Sequence, residues 1–343
     1  MTTSQDHSSP TCPGTNAKNA SPQRDSLINE RLFWPIVLLL GLCLTLIPYL
    51  VQPSFRVDIV HQFGLSREYV PGTYMFPAFA SWLLRGVCLL TGEALFSPYL
   101  CAAIITVLTL YGLWRLGREY LSKELAFWGA VSMCTYWYFN TGCMLYNNNG
   151  PMIMFMVYAF LFFHFALKTN LPIFWIATGA ALGFNLICKY TGIIPIATIV
   201  LYMFYSRHAR RYWFGIGPYL SIVTAAIIFI PNALFILDHR DAIRAYIDSK
   251  KSVGTLPGFT KDFVIGWLEQ LVIALPVLLT LTPLFGKWFV LRQTESTSTS
   301  DATGTTDTVT VERSFLPFMF FVPFFVQAIL QCISGVAFHQ TSY

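Results

Sequence analysis

The feature that most constrains this chain is a series of apolar blocks joined by short polar connections. Each block is roughly 17–24 residues long, and a helix rising ~1.5 Å per residue crosses a ~30 Å hydrocarbon layer in about that length. The expected blocks lie approximately at 33–52, 98–114, 125–144, 151–167, 172–188, 190–206, 214–236, 263–285 and 315–338. Charge supports the same reading. Only 11% of the 343 residues are Asp, Glu, Lys or Arg, against about 25% in a soluble domain. The expected fold is all-α: a polytopic transmembrane helical bundle of about nine spans.

Two stretches require a choice. Leu171 to Ser206 is interrupted only by Lys189-Tyr190-Thr191-Gly192. A single helix of that length would run about 54 Å, so two short spans meeting at Lys189 fit better. Phe76 to Gly92 carries Arg85 near its centre. A mid-bilayer charge costs several kcal/mol, and an interfacial helix lets the arginine snorkel instead. The positive-inside rule supports both choices. With the N-terminus cytoplasmic, Lys18, Arg24, Arg31, Arg115, Arg118, Lys123, Lys168, Arg207, Arg210, Arg211, Lys287, Arg292 and Arg313 all lie inside. Either alternative moves a basic cluster outside.

Residues 1–31, rich in Ser, Thr, Asn, Pro and Gln, are expected to form a disordered cytoplasmic tail, with the transmembrane domain over 32–343. Within that domain, 52–97 is the first outer loop, containing interfacial helices, and 237–262 is a large outer loop. Residues 286–314 form a flexible cytoplasmic loop. The net charge of +5 is scattered among short connections, so no nucleic acid is expected as a partner. The cysteines show no CxxC pair and no zinc spacing, and those in apolar runs act as small hydrophobes.

Polar side chains with chemical potential collect on the outer face in this topology. They are Asp58, His61 and Glu68 in the first loop, Asn147 to Asn149 in the second, Lys189 at its turn, and Asp238, His239, Arg240, Asp241 and Arg244 in the last.

The order of several segments resembles the GT-C glycosyltransferases, in particular the protein-mannosyltransferase-like superfamily (glycosyltransferase family 39). That group includes dolichyl-phosphate-mannose enzymes and bacterial aminoarabinose and galacturonic acid transferases. The segments are Arg56-Val57-Asp58, Phe76 to Leu84 (FPAFASWLL) with Thr91-Gly92-Glu93, and Tyr111 to Arg118 (YGLWRLGR). They continue with Leu182 to Gly192 (LGFNLICKYTG) and Ile230 to Leu234 (IPNAL) running into Asp238-His239. The likeness covers roughly residues 33–285.

The resemblance implies an enzyme in a bacterial inner (plasma) membrane. It would move a hexosyl or pentosyl group from a polyprenyl-phosphate donor to a hydroxyl of a lipid, glycan or protein acceptor. It also implies Asp58 as general base and Lys189, Arg240 and Arg244 as donor-phosphate ligands. Glu68, Asn148, Asn149 and His239 would contact substrate or acceptor. Three departures stand out. Relatives often carry a second Asp at or next to the position of Asn149, and a His or Glu-Lys pair where Met75-Phe76 stands. They also usually continue past the position of Tyr343, so either a natural short form or a truncated product is an expectation here. The resemblance fixes no cofactor and leaves a divalent metal open. A divalent metal would meet amides, which hold it less well than carboxylates. The competing class is a non-catalytic polyprenyl-lipid-binding or transport protein. A transporter would show repeated halves and several midplane ionisable residues, but the sequence has no internal repeat and offers only His164.

Overall fold

The computed structural model describes residues 21–250, 256–298 and 306–334. These residues are helical apart from turns, and their only β-type pairing is an isolated antiparallel bridge between Gly72 and Pro77. Helix α1 (Ser21–Val51) is followed by two short helices, α2 (Val57–Leu65) and α3 (Phe79–Thr91). Then come α4 (Ser97–Gly117), α5 (Lys123–Ser132), α6 (Asn149–Thr169), α7 (Pro172–Cys188) and α8 (Ile193–Tyr205). The rest are α9 (Arg207–Arg210), α10 (Ile216–Asp238), α11 (Arg240–Lys250), α12 (Leu256–Ser298) and α13 (Thr306–Ser334).

Among the described residues, six helical segments are long and apolar enough to cross a membrane: Arg31–Val51, Ser97–Gly117, Asn149–Thr169, Ile216–Asp238, Phe259–Thr280 and Ser314–Ser334. Pro172–Cys188 and Tyr190–Tyr205 are shorter apolar helices, separated at Lys189 where the sequence places a turn. The expected span 125–144 is not one helix. After α5 the chain passes through three 3-10 turns, Met133–Thr135, Trp137–Phe139 and Gly142–Leu145. Ser132, Thr135, Asn140, Thr141 and Gly142 interrupt this run, and the Ser132 and Thr135 hydroxyls bond to backbone carbonyls of the preceding turn. Such local bonds compete with the helical ladder.

The other boundaries also shift. Helix α1 starts at Ser21, inside the tail expected over 1–31, and residues 1–20 lie outside the described ones. The expected loop 286–314 is helical at both described ends, with 299–305 outside. Phe76–Gly92 contains only the 13-residue α3, too short to span. Its Arg85 guanidinium reaches Glu93, 2.5 Å away, which also pairs with Arg67 at 2.6 Å. The arginine thus has a counter-charge just beyond its own helix, where Gly92 adopts φ 66° to end it.

The core is built from α4, α6, α7 and α10. Their close approach depends on missing side chains. A Cβ on Gly179 would lie 2.3 Å from the Ser221 carbonyl oxygen, and one on Gly183 3.1 Å from Ala225 backbone. Small residues of this kind let helix backbones touch where lipid supplies no hydrophobic drive. At the end of α4 opposite the α6 N-terminus, Glu119 accepts from Lys168 at 2.8 Å and lies 3.3 Å from His164 and 3.7 Å from Arg115. His164 is therefore paired. Tyr120 contacts its other ring nitrogen and stacks on Phe315, which seats the start of α13.

Gly179→Ala is expected to lower the thermal stability of the detergent-solubilised protein by about 1–3 kcal/mol, the usual cost of overpacking. Gly129→Ala on α5, where a Cβ meets nothing within 4 Å, is the control and leaves it unchanged. Equal melting of the two variants would mean that α7 and α10 are not packed this closely.

Candidate active site

Three consecutive asparagines at the start of α6 organise the surface above the helices. Asn148 is buried, and its amide oxygen accepts from Gln62 Nε2 of α2. Its Nδ2 donates to the Cys188 carbonyl at 2.9 Å and the Pro77 carbonyl at 3.4 Å. Gln62 Oε1 in turn accepts from Ser81 of α3 at 2.7 Å. A single side chain thus joins α2, the strap before α3 and the end of α7. Both N–H groups of Asn148, a residue expected to contact substrate, bond within the protein, so its amide ties these elements together.

On one side of this amide stands Asp58, in the first turn of α2 and half-buried. Asn147 Nδ2 lies 3.5 Å from its Oδ2. The other end of that amide is fixed twice, because Oδ1 accepts from Tyr138 Oη at 3.1 Å and from the Asn149 backbone N–H at 3.0 Å.

On the other side stands Lys189. Helix α7 stops there because Lys189 is extended, with φ −157° and ψ 142°. Gly192 then turns the chain into α8, with its N–H bonded to the Lys189 carbonyl at 2.8 Å. A Cβ on Gly192 would sit 2.4 Å from Asn185 Oδ1, so the tight turn requires glycine. The ammonium donates to Asn149 Oδ1 at 2.7 Å. Burial pulls its pKa down from 10.5 to about 8, and the nearby Asp58 charge opposes that shift. A carboxylate and an ammonium from distant parts of the sequence thus lie within electrostatic reach, each touching one asparagine of the same run.

The remaining expected site residues do not contact this pair. Glu68 is exposed in the turn after α2, and among the described residues its side chain has no partner. His239 ends α10, stacked on Phe235 with centroids 4.2 Å apart and with Nδ1 3.4 Å from Asp238. Arg240 and Arg244 are exposed on α11. That helix meets the strap through Tyr246 and Tyr74, 5.7 Å apart, while Asn232 of α10 donates to the Pro71 carbonyl at 3.1 Å. The strap itself is closed by Thr73, whose backbone N–H donates to the Phe76 carbonyl at 2.9 Å. No three or more His, Cys, Asp or Glu side chains come together to hold a metal among the described residues.

Tyr138, Gln62 and Ser81 were not among the residues expected at the site. Tyr138 falls inside a stretch that hydropathy assigns to a span, and Gln62 and Ser81 are isolated polar residues with no motif around them. Only the fold shows that they converge.

No curated protein and no solved structure matches the chain significantly. Residues 76–235 match the family model described as dolichyl-phosphate-mannose-protein mannosyltransferase. The match runs from the strap to the end of α10, so it contains the asparagine run and Lys189 while Asp58 precedes it. The stretch from Phe76 to Phe235, just under half the chain, is thus similar to the dolichyl-phosphate-mannose-protein mannosyltransferases, membrane glycosyltransferases of GT-C type.

Proposed function

We propose that this protein transfers a hexosyl or pentosyl group from a polyprenyl-phosphate donor to a hydroxyl of a lipid, glycan or protein acceptor. The reaction would occur at the outer face of a plasma membrane, of bacterial type. The observation that carries this reading is the Asp58–Lys189 pair, seated on Asn147 and Asn149. Asp58 removes the proton from the acceptor hydroxyl as its oxygen attacks the anomeric carbon. The bond from that carbon to the phosphate oxygen breaks, and its electron pair leaves with the polyprenyl phosphate. Lys189 meets the negative charge that develops there. Attack opposite the leaving group inverts the anomeric centre. Arg240 and Arg244, exposed on α11, are further cations for the donor phosphate.

Asp58→Asn is expected to lower turnover at least ~10²-fold, the usual contribution of a general base, with folding intact. The assay is transfer from a panel of radiolabelled polyprenyl-phosphate sugars. Near-normal turnover would place the base elsewhere and favour a lipid-binding role for Asp58.

Lys189 gives a pH signature. Its value near 8 means that the empty site loses its positive charge as pH rises through about 8. Undecaprenyl phosphate binding in nanodiscs is expected to weaken across that range, and Lys189→Met should remove the dependence. That variant should also lose roughly ten- to two-hundred-fold in kcat/KM, since charged hydrogen bonds contribute about 1.5–3 kcal/mol. The stability sign runs the other way. Between about 8 and 10.5 the unfolded chain holds a lysine proton that the folded chain has released, so stability rises with pH there. Binding that ignores both pH and the substitution would remove Lys189 from the site.

The sidedness is tested by single cysteines in a cysteine-free background. Cysteines replacing Arg56 and Arg240 should label from outside, and cysteines replacing Ser122 and Arg207 should not. Labelling of Ser122 and Arg207 positions from opposite sides would break the proposed topology.

A further inference from the structure

The asparagine nearest the proposed base is held in one sense by contacts that do not themselves touch Asp58. An asparagine side chain has an acceptor end and a donor end, and which end faces a neighbour depends on the whole hydrogen-bond set. At Asn147 the acceptor end receives Tyr138 Oη at 3.1 Å and the Asn149 backbone N–H at 3.0 Å. The backbone N–H can only donate, so the carbonyl oxygen faces it, and the Tyr138 hydroxyl, able to donate or accept, donates to the same oxygen. The N–H end is then turned toward Asp58 Oδ2, 3.5 Å away. That distance is long for a settled bond, and catalytic contacts commonly tighten when substrate binds.

We infer that Asn147 is a positioning residue for Asp58, its amide turned by the Asn149 backbone N–H and braced in that sense by Tyr138. The inference rests on the reading of Asp58 as the base. Held through Oδ2, the carboxylate has one oxygen committed to the protein and Oδ1 left to take the acceptor proton. If the amide were reversed, its carbonyl would face the carboxylate and favour the protonated acid, which cannot act as a base. Lys189, from the turn after α7, feels the Asp58 charge from across the site. It remains in place in every variant below, so its influence cancels in the comparison.

Tyr138 is placed for this role by the break in the expected span 125–144. The 3-10 turn Trp137–Phe139 brings it to the start of α6, where Tyr138 and Asn147 line a recess against Ile105 and Thr106 of α4. A continuous helix through 125–144 would send consecutive side chains around its axis instead of returning this hydroxyl to Asn147.

The test uses the full chain in nanodiscs with aspartate labelled by 13C at the side-chain carboxyl. The Asp58 resonance is assigned as the one missing from Asp58→Asn. Tyr138→Phe removes one of the two donors that fix the amide, and Asn147→Leu removes the amide itself. The expected result is a graded displacement of the Asp58 carboxyl resonance at one fixed pH, smaller in Tyr138→Phe and larger in Asn147→Leu. At that pH, kcat should fall about ten-fold in Tyr138→Phe with little change in KM. Asn147→Ser makes the same comparison should Asn147→Leu not fold. An Asp58 resonance identical in wild type, Tyr138→Phe and Asn147→Leu would overturn the inference, whatever the activities. Loss of melting temperature with an unmoved resonance would likewise assign Tyr138 and Asn147 to packing alone. Full activity in Asp58→Asn is a different failure: it sinks the base assignment, and the resonance then reports on a carboxylate without catalytic use.

Discussion

The arrangement at the α6 N-terminus depends on one requirement: a polar amide taken out of water must find partners within the protein. An unsatisfied buried donor or acceptor costs about 1–3 kcal/mol, and Asn148 avoids that cost by bonding to Gln62, Pro77 and Cys188. Those three partners come from α2, the strap and the end of α7. Satisfying the amide therefore fixes how the first outer segment sits on the bundle. The two neighbours of Asn148 then have little freedom. Asn147 is directed to the Asp58 side and Asn149 to the Lys189 side. A local polar debt inside an apolar scaffold thus sets the spacing of the two charges.

The scaffold beneath supplies rigidity of a different kind. Helices α7 and α10 approach through glycines, with Gly179 against Ser221 and Gly183 against Ala225. Lipid and leucine are equally apolar, so such contacts are held by close packing and hydrogen bonds more than by burial from water. Ser221 adds one, donating its hydroxyl to the Trp175 carbonyl at 2.6 Å. Because α7 carries Lys189 at its end and α10 carries Asn232 under the strap, this packing transmits directly to the site. A shift of α10 would move the strap through Asn232 and Pro71, and the strap is tied to Asn148.

The sequence was informative where a single physical scale decided the outcome. Hydropathy located the apolar segments within α1, α4, α6, α10, α12 and α13 to within a few residues, though α1, α12 and α13 run on beyond them, and the length limit of a bilayer separated α7 from α8 at Lys189. Hydropathy failed at 125–144, where average apolarity was sufficient but Ser132, Thr135, Asn140 and Gly142 break the ladder locally. The same failure hid Tyr138. At the site, Asp58, Asn149 and Lys189 were legible as charged or amide residues at the ends of apolar runs. The role of Asn148 was not, because a buried strut and an exposed ligand have the same letter. His239, Arg240 and Arg244 look equally suited in sequence, and only the structure shows them on separate contacts.

Asn149 is the position where the chemistry of this chain departs most from the pattern it resembles. An aspartate there would stand against the Lys189 ammonium, which lies 2.7 Å from Asn149 Oδ1. Opposite charges ~4 Å apart gain about 4 kcal/mol near a protein surface, enough to commit the lysine to that partner. A phosphate would then have to displace a carboxylate before it could use the cation. The amide accepts one hydrogen bond from Lys189 without cancelling its charge, so the electrostatic pull on an incoming anion is kept. The same neutrality removes a carboxylate that a divalent ion would need. On the proposed function, this difference would exchange one mode of phosphate neutralisation for another: a single half-buried ammonium, held in place by an amide, in the position where a second acid would favour a bridging cation.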